Sequence, residues 1–125
     1  MTTVIDPNGT AIPVFNRSGT SIISLVGNQA STPTPINTVS EATIVLLSRG
    51  QNVGDENFIL TGSVDVGDVI EAYGADGHIF QIYLPSGETL VNTFVGPIPT
   101  GSGSNYQSVR LRRVDSTHWA AIQSS

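Results

Sequence analysis

The sequence contains neither cysteine nor lysine in 125 residues. Without cysteine there is no disulfide framework, no thiolate metal site and no thiol nucleophile. Every cation is one of Arg17, Arg49, Arg110, Arg112 and Arg113, set against ten acidic residues for a net charge of −5. That balance opposes nucleic-acid phosphate and anionic membrane surfaces as partners. Charged residues make up only 12% of the chain, too few for a disordered polyelectrolyte. The longest aliphatic run, "IVLL" (44–47), falls far short of the ~20 apolar residues a membrane-spanning helix needs. "MTTVIDPNGT" has no basic and then apolar stretch of the signal-peptide kind. The expectation is synthesis in a cytoplasm without membrane insertion.

What the chain has is punctuation. Thirteen glycines and seven prolines, with many Ser, Thr and Asn, suit short strands joined by turns. No window carries a helical period between breakers. "DPNG" (6–9) is a turn signal, because proline fits the first central position and glycine supplies positive φ. "NRSG" (16–19) echoes it, and "GTAI" (9–12) and "GTSI" (19–22) follow ten residues apart, as in a β-meander. "GNQASTPTPINTVS" (27–40) reads as a Pro/Thr-rich linker, since Pro33 and Pro35 remove two backbone donors. Residues 1–40 are therefore expected to be an extended N-terminal arm and linker, and 41–125 a β-domain.

Within 41–125 the strand-sized runs are "ATIVLL", "NFILTG", "DVIEAY", "HIFQIYL", "TLVNTFV", "SVRLRRV" and "HWAAIQ". The first reads as buried on both faces. The reading is all-β: a compact antiparallel β-barrel or sandwich of about seven strands.

"SVDVGDVIEAYGADGH" (63–78) gathers four acidic side chains and His78, and so poses the question of a metal or catalytic site. A calcium loop starting at Asp65 would put Gly67, Ile70 and Asp76 at its third, sixth and twelfth positions, and all three are wrong. Asp68 and Glu71 differ in strand parity and point to opposite faces. Asp76 and His78 sit in "GADGH", an Asp-Gly turn. Glu71 is read as the partner of Arg110 or Arg112 on another strand. A glycosidase pair would have to use Glu71 and Glu88, and Glu88 sits in an ordinary "PSGE" turn. No G-x-S-x-G is present, and "GSGSN" (101–105) is a loop, not a phosphate cradle. The expectation is no enzyme, no cofactor and no metal.

"SVRLRRVDSTHW" holds three of the five arginines. Val109 and Leu111 face one way, Arg110 and Arg112 the other, and a bulge is expected at Arg113–Val114. Arginine is enriched at interfaces, so Arg110, Arg112, Arg113 and Glu71 are candidate subunit or capsid contacts. The apolar arm residues Ile12, Val14, Phe15, Ile22, Ile23 and Leu25 are the others. Trp119 is expected to anchor the core, and His118 to lie at the surface.

The order "GDVIEAYGADGHIFQIYLPSGETL … VRLRRVDSTHWAAI" resembles small β-structured virion proteins of tailed bacteriophages. The likeness spans about residues 60–122 and rests on Gly67, Asp68, Glu71, Tyr73, Pro85, Gly87, Arg112, Ser116 and Trp119. It implies a capsid decoration (cement) or head-fibre protein, commonly a homotrimer, on the outer surface of the virion with the major capsid protein as partner. It brings no catalytic residues and does not reach the first forty positions. The alternative is a receptor- or glycan-binding module of a tail fibre or spike, stacking sugar on Tyr73, Tyr83, Tyr106 or Trp119.

Overall fold

A computed structural model describes residues 2–5, 11–14, 19–38, 40–101 and 108–124. They form strands and turns with no helix among them. β1 (Thr2–Ile5) and β2 (Ala11–Val14) make an antiparallel two-stranded sheet, with Ile5 opposite Ala11. The expected "DPNG" turn lies between them, outside the described residues. The meander reading fails, because the strand begun by "GTSI" pairs elsewhere.

That strand is β3 (Thr20–Val26), followed by β4 (Thr34–Ile36), β5 (Ala42–Ser48), β6 (Asn57–Leu60), β7 (Val69–Gly74) and β8 (Phe80–Tyr83). From β3 to β8 the chain changes sheet at every step. β3, β5 and β7 lie side by side in one sheet, and β4, β6 and β8 in the other. All of these neighbours run parallel: Thr20 is level with Ala42 and Ala42 with Val69, while Thr34 is level with Phe58 and Phe58 with Ile82. The chain therefore winds.

The changes of sheet continue to β11, but the uniform parallel order stops. β9 (Thr89–Leu90), β10 (Ile98–Thr100), β11 (Ser108–Arg113) and β12 (His118–Ser124) complete the sheets. β10 runs antiparallel to β8, β11 is antiparallel to both β7 and β12, and β9 lies parallel to β12. The result is a six-stranded sheet, β3-β5-β7-β11-β12-β9, and a four-stranded sheet, β10-β8-β6-β4. Both are mixed and open-edged, so of the expected antiparallel barrel or sandwich the purely antiparallel pairing and the barrel are corrected. Turns every 8–12 residues had pointed to hairpins, but turns of that spacing also carry a chain from one sheet to another.

One buried cluster draws on both sheets. Val45, Leu47, Ile70, Leu111 and Trp119 come from the six-stranded sheet, and Ile36, Phe58, Phe80 and Ile82 from the four-stranded one. Strand alternation supplies it, as in β11, where every second residue is buried. Phe58 and Phe80 meet edge to face at 5.9 Å, a favoured aromatic geometry. β5 departs from expectation: Thr43, Val45 and Leu47 are buried, but Ile44 and Leu46 are only half covered on the outward face.

Two segments north of residue 40 also belong to these sheets. β3 hydrogen-bonds along β5 and packs Ile23 and Leu25 on the core, and β4, inside the expected linker, buries Ile36 completely. Pro35 is tolerated because β4 is an edge strand. Conversely, "TLVNTFV" yields only the two residues of β9. Thr93 N–H bonds Leu90 O, Asn92 Oδ1 accepts from Phe94 N–H, and Thr93 has φ of 71°. Asparagine's own turn chemistry ends the strand there. β10 arises in "PIPT", outside every strand-sized run read from the sequence.

Candidate functional site

The outward face of the six-stranded sheet gathers the candidates that the sequence reading favoured. Register places Ile22, Ile44, Glu71, Arg110 and Ile122 in one row across β3, β5, β7, β11 and β12. Arg110 Nη2 lies 3.6 Å from Glu71 Oε2, which is the cross-strand ion pair expected from the sequence. Tyr73, two residues along the same face, donates its hydroxyl to Glu71 Oε1. That hydrogen bond, then partial burial and the charge of Glu71, raise the Tyr73 phenol, with Arg110 opposing. In the next row Arg112 stands exposed between Val69 and Ala120. Ile22 and Ile122, at the ends of the first row, are 68% and 66% exposed. The face is apolar at both ends and charged in the middle.

The other candidates separate. Ile12 and Val14 lie on β2, and Phe15 falls outside the described residues. Ile23 and Leu25 turn inward and pack against the core. The bulge expected at Arg113–Val114 is corrected. No bulge intervenes: Arg113 continues the inward alternation of Val109 and Leu111 and sits directly opposite Trp119. Its guanidinium donates to the carbonyls of Gly62, Val64 and Ser116 and to Glu88 Oε1 at 2.9 Å. Trp119, fully buried, donates its indole N–H to the same Glu88 oxygen at 3.0 Å. The only signal for this arrangement in the residues is an arginine one place out of step with its neighbours.

Glu71 and Glu88 therefore answer to arginines on opposite faces of the sheet, which is not how two carboxyls face one glycosidic bond. In the 63–78 stretch Asp68 and Asp76 have local tasks. Asp68, buried, accepts from Thr38 Oγ1 at 2.9 Å. Asp76 accepts from the backbone N–H of Arg49 at 3.0 Å and of His78 at 3.2 Å, which is turn chemistry. Gly67 takes φ of 93°, a conformation that favours glycine. Among the described residues no group of three or more His, Asp or Glu side chains is placed to hold a metal.

His118 lies at the surface and pairs through Nδ1 with Asp115 Oδ1 at 2.9 Å. Asp115 also accepts from Thr117 N–H, and this bond, followed by that from His118, holds its carboxyl below the ordinary range. Of the rings considered for sugar stacking, Trp119 is buried, Tyr73 is tied to Glu71, Tyr83 is half-buried and Tyr106 lies outside the described residues. No helix of the described residues is long and apolar enough to cross a membrane. Comparison with protein-family models, curated proteins and solved structures returns no match.

Proposed function

We propose that the chain is a non-enzymatic structural protein of a virion. It acts as a capsid decoration protein, binding the outer capsid surface as a homotrimer and stabilising the lattice. The observation that carries this reading is the outward face of the six-stranded sheet. Its regular strands present Ile22 and Ile122 to solvent on either side of the Glu71–Arg110 pair, a surface suited to another protein. In this reading the two sheets are the layers of a sandwich, a stiff platform for that face. A multivalent assembly turns weak contacts into effectively intramolecular ones.

Copy number per particle, measured on a stained gel of purified virions, tests the reading. Hundreds of copies fit decoration, whereas a dozen or fewer would replace it with a fibre or spike component. Truncation separates the roles within the chain. Removal of residues 1–35, which a free arm would tolerate, takes away β3 and most of β4. Removal of residues 1–18 spares both sheets, and is expected to leave a folded protein with weakened capsid binding.

A further inference from the structure

The two main sheets have four edges, and three are blunt. β9 has two residues, and β4 and β10 have three each with a central proline, Pro35 and Pro99. β3 is different: seven residues, "TSIISLV", with no proline and no charge. Between Arg17 and Glu41 the chain has no charged side chain at all. Shortness, proline and charge are the devices that stop edges from pairing, and β3 has none of them.

Its backbone parity can be read directly. Gly19 O accepts from Ala42 N–H, and Gly27 N–H donates to Ser48 O. The odd-numbered residues of β3 therefore turn their backbone groups to β5, and Thr20, Ile22, Ser24 and Val26 turn theirs to the open edge. Val26 O is already held by Thr34 Oγ1 at 2.6 Å. Thr20, Ile22 and Ser24 remain, each with an N–H and a C=O that no described residue of the chain engages.

We infer that this edge pairs with the β3 edge of a second copy, antiparallel about a twofold axis at Ile22. In that register Thr20 faces Ser24 of the other copy, Ile22 faces Ile22, and Ser24 faces Thr20. Every open edge group of the three residues is then satisfied. A register centred one residue to either side leaves some unpaired or draws on Val26. Self-pairing also brings no like charges together in an acidic chain, since the strand is neutral. The two sheets become one, and the outward row reads Ile44, Ile22, Ile22, Ile44 across the joint, covering the exposed Ile22. The contact is isologous and closes on itself. It does not rest on the virion reading and adds a twofold link to whatever the remaining face binds.

The absence of native cysteine makes the register testable in the full-length chain. Facing residues of a hydrogen-bonded antiparallel pair have Cα atoms about 5.5 Å apart, within disulfide reach. Mild oxidation at micromolar concentration should convert Ile22→Cys largely to a dimer on a non-reducing gel. Ser24→Cys alone should give little, and the Thr20→Cys/Ser24→Cys double variant should cross-link again. Adding Ser24→Pro to Ile22→Cys removes one outward N–H without touching a bond to β5, and should cut the cross-linked fraction at least tenfold. No dimer from Ile22→Cys, or equal dimer from Ile22→Cys and Ser24→Cys, would overturn the pairing and leave the edge to a strand of another protein.

Discussion

Arg113 and Trp119 stand opposite each other on β11 and β12 and donate to the same oxygen of Glu88, with the guanidinium carbon 5.7 Å from the indole centroid. The Arg113 and Glu88 side chains are only 10% and 9% exposed. Removing one partner of a buried pair strands the other's charge, at a cost of about 3–5 kcal/mol. Glu88→Ala should therefore lower unfolding stability by about that much in urea titrations. Glu88→Gln combined with Arg113→Met, which removes both charges, should cost less than Glu88→Ala alone.

The pair on the outward face should behave differently. Arg110 is 59% exposed, and exposed pairs contribute about 0–1 kcal/mol. Arg110→Ala and Glu71→Gln should each leave the unfolding midpoint nearly unchanged. Under the proposed decoration role, any large loss of capsid binding in these variants then reports contact, not misfolding.

Tyr73 gives a separate signature at high pH. Its phenol is raised above 10.0 chiefly by the hydrogen bond to Glu71. A raised group stabilises the folded state fully below its unfolded value, and that contribution fades as pH climbs through the folded value. Ultraviolet titration of the phenolate should show Tyr73 moving back toward its ordinary value in Glu71→Gln.

Asp115 works at the other end of the scale. Its carboxyl is lowered below 3.8, first by the Thr117 N–H and then by His118. Its stabilising effect is present above that value and is lost as pH falls through the lower folded one. Carboxyl titration followed by NMR should show a partial upward return in His118→Ala, with the Thr117 bond still in place.

Gly27 and Gly62 make a matched test of the turns. A Cβ at Gly27 would run into the backbone oxygen of Asp55, whereas a Cβ at Gly62 meets nothing within 4 Å. Gly27→Ala should destabilise by more than ~1 kcal/mol and Gly62→Ala should stay within ~0.5 kcal/mol, both by urea titration.

Much of this was legible in the residues because strands announce themselves by alternation. β5, β7, β8, β11 and β12 lie where apolar runs placed them, Trp119 is in the core, and Glu71 meets Arg110 across two strands. Pairing direction was not legible, because a turn-rich connection reads alike whether it returns the chain beside itself or carries it to the opposite sheet. Proline misled at β4 and β10, since an edge strand can do without the missing donor. Arg113 was misplaced because charge outweighed parity in the reading, while in the structure parity decides and Glu88 compensates the charge.

The alternation of sheets from β3 to β8 also fixes how the molecule can come apart. Neither sheet is a continuous stretch of chain, so a cut between β4 and β10 divides both, and no fragment holds one complete sheet without strands of the other. Protease nicks between β4 and β10 should therefore weaken both sheets together, and hydrogen exchange should find their central amides opening in concert. The molecule cannot be taken apart one layer at a time.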